Sequence, residues 1–442
     1  MSAEAVAEDQ GLKSRQVALG IIGQVIDKKQ ALDHVLEADE GFRSLASQDR
    51  AFVRMIVSSV LRRLGQIDDF IRQAEDREAT KTPVLQNILR LGVVQIMFMA
   101  VADHAAVDTS VNLAEENGHG RQKGFVNAVL RKITREGPAW LSRQDEVRLN
   151  TPDWLLKTWI ADYGLGVAAE IAQANLAEAS FDITIKDERD RNYFASMFKA
   201  TELLTGTLRQ SKVGGRVHEM AGFSEGSWWV QDASAAIPAQ LFGDVEGQVV
   251  VDLCAAPGGK TMQLAAKGAD VVALDRSPKR LQKVGENAKR LGLQERVAEQ
   301  IADASQWKPP YPVSNILLDA PCSATGTVRR HPDVLHLKCA RDIERLVDTQ
   351  ARILDNAFDI LAVGGCLVYC TCSLQKDEGE RQIDAFLLRH QNAARKPISA
   401  EDDLNGFDES LTENGDLRIL PFHQAAVGGM DGFYIARLTK LA

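Results

Sequence analysis

The stretch VVVDLCAAPGGKT, Val249 to Thr261, reads as a strand running into a glycine-rich turn and then a helix. Gly258 and Gly259 let backbone N–H groups come close to a ligand at a helix N-terminus. Two ligand classes use such a turn. A phosphate-binding loop needs G-x-x-x-x-G-K-[ST]; Gly259-Lys260-Thr261 fits its end, but Cys254 stands where its first glycine should be. An adenosine-binding doubly wound domain needs an acidic residue at the end of the next strand, about 20 residues on, to hold the ribose hydroxyls. Asp275, in VVALDRSP, meets that need, and Asp303, in IADASQW, ends the strand after it, placed to meet an adenine amino group. A nicotinamide cofactor would suit the same scaffold, so the turn alone does not separate a dehydrogenase from a methyltransferase.

Outward from that turn, from Gly226 on, β-branched runs of strand length alternate with amphipathic helical stretches, the pattern of a parallel sheet with crossover helices. The expected strands are Val249–Cys254, Asp270–Asp275, Val297–Asp303, Ser314–Ala320 and Gly365–Thr371. The fourth ends NILLDAPCSATGT and the fifth GGCLVYCTCS. In a doubly wound sheet both carboxyl ends open on the ligand crevice, so Asp319, Cys322 and Cys372 should converge there. Hydride transfer has no use for two thiols and a carboxylate, whereas addition to an electron-poor ring does. Cytosine C5 is too weak a nucleophile to take a methyl group unaided. A thiolate adding to C6 makes C5 an enamine carbon that attacks a sulfonium methyl, after which the C5 proton is removed and the thiol eliminated. A carboxylate would meet N3 or the amino group. Spacing does not choose which of Cys322 and Cys372 attacks. Cys366 and Cys370 fall inside a strand, Cys339 lies by a helix and Cys254 ends a strand; free cysteines in such places mostly fill apolar space.

The first 140 residues read as helix after helix. Phe52, Val53, Ile56, Val60, Leu61, Leu64, Ile67 and Ile71 recur at the spacing of one buried face from Asp49 to Ala74, with Ser47 at the N-cap position. Further runs, Val84–Ala100 and Val126–Ile133, complete a compact bundle. His104, before two alanines, reads as a helix-start residue. Residues 141–225, with FDITIK as a short strand and RDRN as a turn, read as a small α+β connector, and residues 226–442 as the catalytic domain. The fold class expected is thus α/β: a Rossmann-like domain preceded by an all-α bundle and a small α+β connector.

Hydrophobic residues make up 45% and charged ones 26%, the balance of a soluble folded protein. The acidic start MSAEAVAEDQ is no signal peptide, and the longest apolar stretch, Leu91–Ala102, contains Gln95 and falls short of the about 20 residues that span a bilayer. A cytoplasmic protein without membrane contact is expected. Six cysteines, none in a C-x-x-C pair or near a histidine cluster, point to reduced thiols, with neither a disulfide framework nor a metal site. A net charge of -9 means that any RNA partner must find basic patches. Candidates are Arg121, Lys123, Arg131, Lys132 and Arg135; Arg276, Lys279, Arg280, Lys283, Lys289 and Arg290; and Arg329, Arg330 and His331, although most such runs are solvated helix faces. Arg329 and Arg330, directly after PCSATGT, are placed to contact phosphates of a flipped-out or looped nucleotide.

Nearly the whole chain resembles the bacterial ribosomal RNA cytosine-C5 methyltransferases of the Sun (Fmu) type, within the NOL1/NOP2/Sun family. The resemblance rests on WWVQDASAAIP, DLCAAPGGKT, LLDAPCSATGTVRRHPD, VYCTCSLQKDEGE and DGFYIARL. DRAFVRMIVSSVLRR, LGVVQIMF, HAAVDTSVNLAEE and KGFVNAVLRK resemble a NusB-type RNA-binding domain. It implies S-adenosyl-L-methionine as cofactor, 16S ribosomal RNA as partner and a monomer. It implies Cys372 as nucleophile, unlike DNA cytosine methyltransferases, which attack with the PC-motif cysteine. Cys322 would aid product release. Cys254, Ala255, Ala256, Pro257, Gly258, Gly259, Lys260, Asp275, Asp303 and Asp319 would bind the cofactor, Asp319 also meeting the cytosine. Cys370 stands where alanine is common and Ala235 where serine is expected. A tRNA cytosine-C5 methyltransferase and a noncatalytic RNA-binding assembly factor are the alternatives; against the second stands the intact set of Cys372, Cys322, Asp319 and glycine turn. In a protein or small-molecule methyltransferase the two thiols would have no task.

Overall fold

The computed structural model describes residues 3–75, 81–210, 216–399, 402, 404 and 406–442. The chain divides into two compact units, Met1–Ala177 with Arg330–Lys338, and Glu178–Arg329 with Cys339–Ala442.

The first unit is helical. Val53, Ile56, Val57, Val60 and Leu61 pack with Ile67, Phe70, Leu89, Val93, Leu130 and Ile133 in one core. Thr82 caps the helix Pro83–Phe98 by accepting from the Leu85 N–H at 3.2 Å, and Pro83 sits in the first turn, where a missing N–H costs nothing. The single helix expected from 49 to 74 is two, Ser47–Arg62 and Leu64–Ala74, broken at Arg63. The break lets Asn150 accept from the Gln66 N–H at 3.1 Å, and Gly65 admits the Leu149 backbone so closely that a Cβ would lie 1.7 Å from its carbonyl oxygen. Ser47 is itself helical, and the N-cap is Ala46. His104 lies in the first turn of Asp103–Glu116. The segment after the PCSATGT turn also belongs here. Asp333 accepts from the Leu32 N–H at 2.9 Å, and His336 Nε2 donates to the Leu61 carbonyl at 2.7 Å.

The second unit holds two sheets. β1 (Phe181–Ile185), β2 (Thr201–Glu202), β3 (Leu208–Gln210) and β4 (Trp228–Val230) form an antiparallel sheet in the order β2-β3-β1-β4. Of the stretch 141–225, helices Glu146–Asn150, Asp153–Tyr163 and Leu165–Ala174 fall in the helical unit, and the small sheet falls in the second unit. Buried Asp182 of β1 shows why. It pairs with Arg209 of β3 and accepts from the Ala233 N–H, while Arg209 donates to the carbonyls of Val427 and Gly429.

The larger sheet contains β5 (Val249–Asp252), β6 (Asp270–Asp275), β7 (Val297–Ile301), β8 (Val313–Asp319), β9 (Leu361–Thr371), β10 (Ala393–Arg395), β11 (Leu417–Ile419) and β12 (Phe433–Lys440). Its order is β10-β12-β9-β8-β5-β6-β7, with β11 pairing β12. Strands β5 to β9 are parallel, and β12 runs antiparallel to β9 and β10. Alternate residues enter opposite cores: Ile316, Leu318, Leu367 and Tyr369 on one face, Leu317, Val368 and Cys370 on the other. Burial on both faces is what makes these strands apolar runs. Chain order reverses between β5 and β8, which opens a crevice at their carboxyl ends. Among the described residues no helix is long and apolar enough to cross a membrane.

Candidate active site

At the end of β5 the backbone turns sharply into the helix Gly259–Ala266. Gly258, its N-cap, has φ +106°, a conformation side chains with a Cβ rarely adopt, so glycine is required there. The turn is held from both sides: Ala255 N–H donates to the Leu274 carbonyl at 2.8 Å, and Arg280 donates to the Ala256 carbonyl at 2.5 Å. The Ala256–Pro257 peptide is cis. Ala255 and Ala256 are buried, Cys254 and Gly259 half-buried, and Pro257 is exposed. Burial pushes the Cys254 thiol well above the usual thiol range, so it keeps its proton.

The strand-end carboxylates differ in setting. Asp275 is buried, accepts from the Ser277 N–H at 2.8 Å and pairs with Arg280 at 3.4 Å. Asp303 lies just past β7, exposed, and hydrogen bonds from Ser305 hold its carboxyl below the ordinary range. Asp319, the last residue of β8, is gripped by Lys260 Nζ at 2.6 Å, and the Cys370 thiol lies 3.7 Å from its other oxygen. Burial works against the charge of Lys260, but the Asp319 carboxylate outweighs it and keeps Lys260 above the usual lysine range. Phe433 of β12 lies under that ammonium, 5.1 Å from ring centre to Nζ.

β8 and β9 are parallel neighbours, and the turns that leave them bring Cys322 Sγ within 3.4 Å of Cys372 Sγ. The hydrogen bond to Cys372, then burial, pushes the Cys322 thiol well up. Either thiol can donate the hydrogen bond that joins the two sulfurs. The turns are stitched together: Gly326 N–H donates to the Cys372 carbonyl, Leu374 N–H to Thr325 Oγ1, and Ser323 and Ser373 both reach the fully buried Glu378. Cys366 and Cys370 lie in β9, and Cys339 caps the helix Ala340–Ile360.

Sequence reasoning brings together Lys260, Asp319, Cys322 and Cys372, and places Asp275 and Asp303 along the same edge. It misses Phe433, Glu378, Ser323, Ser373 and Gln350, which are polar loop or distant residues without periodicity. It also misreads Arg329, which is 4% exposed and donates to the carbonyls of Gly428 and Met430, tying the PCSATGT turn to the approach to β12. Such a residue holds the fold and has no surface to offer a phosphate. Arg290 is likewise used internally, on the carbonyls of Phe223 and Trp228, whereas Arg276, Lys279 and Lys289 are exposed. A cavity of about 1050 Å³ is lined by Lys186, Trp229, Gln240 and Gln263 among others and by none of the residues of this edge. Among the described residues no cluster of three His, Cys, Asp or Glu could hold a metal ion.

An antiparallel strand between β9 and β10 separates this sheet from the all-parallel order that binds dinucleotides, and with the strand-end carboxylates it defines a Rossmann-like methyltransferase domain. Comparison with known proteins narrows the class. Residues 239–439 match the family described as 16S rRNA methyltransferase RsmB/F, and residues 12–135 match the NusB family. The chain is 33% identical to ribosomal RNA small subunit methyltransferase B of Vibrio vulnificus, over 97% of this chain and 99% of that one. To the protein of the same description from Vibrio cholerae it is also 33% identical, over 96% and 97%. The chain belongs to the RsmB/F family of 16S rRNA methyltransferases. Among solved structures, PH0851 has the same fold with a TM-score of 0.76 at 21% identity, covering 98% of each chain. NSun6 from Pyrococcus horikoshii, solved with SFG, gives 0.56 at 21% identity over 66% of this chain and 98% of that one.

Proposed function

We propose that this protein transfers a methyl group from S-adenosylmethionine to C5 of a cytosine in small-subunit (16S) ribosomal RNA, with Cys372 as the attacking sulfur. The observation that carries the reading is the 3.4 Å pair of thiols past the carboxyl ends of β8 and β9, beside the Lys260–Asp319 ion pair. The relatives' description as small-subunit rRNA methyltransferases supports the substrate. The residues of the edge fit the cofactor. A Cβ-free turn at a helix N-terminus suits its carboxylate, buried Asp275 suits two ribose hydroxyls, and exposed Asp303 suits an amino group.

When bound, the cofactor supplies an electrophilic methyl on a sulfonium. The protein's own groups then activate the ring. Cys372 adds as thiolate to C6, and the thiol hydrogen of Cys322 stabilises that sulfur while it is charged. Charge building on N3 is met by Asp319, which can pass on the proton of Lys260 held 2.6 Å away. C5, now an enamine carbon, takes the methyl group. The C5 proton passes to a base, N3 returns its proton, and Cys372 leaves as thiolate, again stabilised by Cys322.

Methyl transfer from labelled cofactor to unmodified small-subunit rRNA, followed by nuclease digestion, should yield 5-methylcytidine. A different methylated nucleoside would sink the chemistry, and methylation of tRNA alone would move the substrate.

A further inference from the structure

Glu378 lies six residues past Cys372 and is 0% exposed. Among the described residues its carboxylate meets only uncharged donors. Oε1 accepts from the Ser323 N–H at 2.9 Å and from Gln350 Nε2 at 3.0 Å; Oε2 accepts from the hydroxyls of Ser323 and Ser373. Its own backbone carbonyl accepts from Tyr369 Oη at 2.9 Å and from Thr371 Oγ1 at 3.3 Å. A carboxylate taken out of water without a cation is costly, and a well-packed apolar residue would have filled this space more cheaply. The side chain must therefore do something that an apolar one could not.

Its connections show what that is. Ser323 directly follows Cys322, and Ser373 directly follows Cys372. One carboxylate thus grips both cysteine-bearing turns at the residue beside each sulfur, while Gln350 ties it to the helix Ala340–Ile360 and, through the Pro321 carbonyl, to the residue before Cys322. We propose that Glu378 is the positioning residue of the thiol pair: its carboxylate clamps both cysteine-bearing turns and so sets the sulfur–sulfur separation. The assignment rests on the two-thiol mechanism proposed above. The negative charge of Glu378 is one of the influences that raise the Cys322 thiol, after Cys372 and burial.

Glu378→Gln separates charge from shape. The amide oxygen can keep the two N–H donors, and the amide nitrogen can donate to the two hydroxyls, which accept as readily as they donate. The clamp persists without its charge. Thermal denaturation and RNA affinity should stay near wild type, and the alkaline limb of the kcat profile should move to lower pH because Cys322 loses its proton more easily, so that kcat falls on that limb. A residue that only stabilised the fold would not move that limb. Ser373→Ala keeps the charge and removes one arm of the clamp; it should lower kcat at unchanged KM and leave the limb where it is. If Glu378→Gln keeps wild-type kcat and pH profile, the proposal is overturned. If that variant fails to fold, wild-type kcat in Ser373→Ala overturns it instead. Wild-type enzyme assayed alongside keeps the readings apart: no 5-methylcytidine from wild type would defeat the mechanism itself rather than the role of Glu378.

Discussion

Cys322 Sγ and Cys372 Sγ lie 3.4 Å apart although fifty residues separate them, because the parallel strands β8 and β9 deliver both turns to one edge of the sheet. At that distance the sulfurs share one proton's hydrogen bond, so the two residues should fail in different ways when substituted. Cys372→Ala removes the attacking sulfur and should abolish 5-methylcytidine formation. Cys322→Ala leaves attack possible but removes the group that stabilises the departing thiolate, so a protein–RNA adduct that survives denaturing electrophoresis should accumulate. An RNA carrying 5-fluorocytosine, which has no C5 proton to lose, should trap wild type and Cys322→Ala but not Cys372→Ala. Adduct formation by Cys372→Ala would exchange the two roles.

Lys260 is held between Asp319 and the face of Phe433. Lys260→Met preserves the stem but strands a partly buried carboxylate, at a cost of about 2 kcal/mol in chemical denaturation. Because Asp319 keeps the folded Lys260 above its unfolded value, this contribution is fully present below about pH 10 and is lost only above it. The Lys260 charge also lowers the Asp252 carboxyl, so the loss in Lys260→Met should vary near neutrality only through Asp252. In the double variant with Asp252→Asn the loss should be the same in mildly acid and mildly alkaline buffer; a loss that still varied would mean that a further group titrates with the pair.

The five parallel strands and the edge residues were legible because they depend on local patterns. β-branched runs, a glycine turn and strand-end Asp275, Asp319, Cys322 and Cys372 need only the geometry of a doubly wound sheet to be brought together. What was not legible depends on distant partners. The apolar stripe from Phe52 to Ile71 continues straight through Arg63, and only Asn150, far along the chain, reveals the break. Arg329 looks like a phosphate contact because a run of basic residues says nothing about burial; the carbonyls that hold it come a hundred residues later. Glu378 hides in a charged stretch, KDEGE, that reads as solvated turn, and its role emerges only when both serines are seen to point at it.

Gly326 offers a test of how tightly the PCSATGT turn is packed. A Cβ there would lie 2.0 Å from the Gly432 carbonyl oxygen, and the Gly432 N–H donates back to the Gly326 carbonyl at 2.8 Å. Backbone cannot rotate aside as a side chain can. Gly326→Ala should cost about 3 kcal/mol or more in urea denaturation, and the displaced turn should carry Cys322 away from Cys372 and lower kcat. Gly292→Ala is the control: a Cβ there meets nothing within 4 Å, so only the strain of its positive φ, +68°, remains, and that variant should keep full activity. Equal effects of the two on kcat would show that the PCSATGT turn tolerates repacking.

Asp252 ends β5 under the site, 1% exposed, accepting from Thr261 Oγ1 at 2.7 Å. Burial pushes its carboxyl up to about 7. An acid whose folded value is raised disfavours the folded state wherever it has ionised in the unfolded chain but is still protonated in the folded one. The stability it contributes is therefore greatest in mild acid, falls as pH rises from about 4 towards 7, and levels off above that. Asp252→Asn, which cannot ionise but can still accept from Thr261, should lack this slope. Wild type should lose about 2–4 kcal/mol more than the variant between the two ends of that window, so the variant should be the more stable protein in mildly alkaline buffer. Parallel stability curves for the two proteins would mean that Asp252 is ionised throughout, stabilised by Lys260 more than burial opposes it.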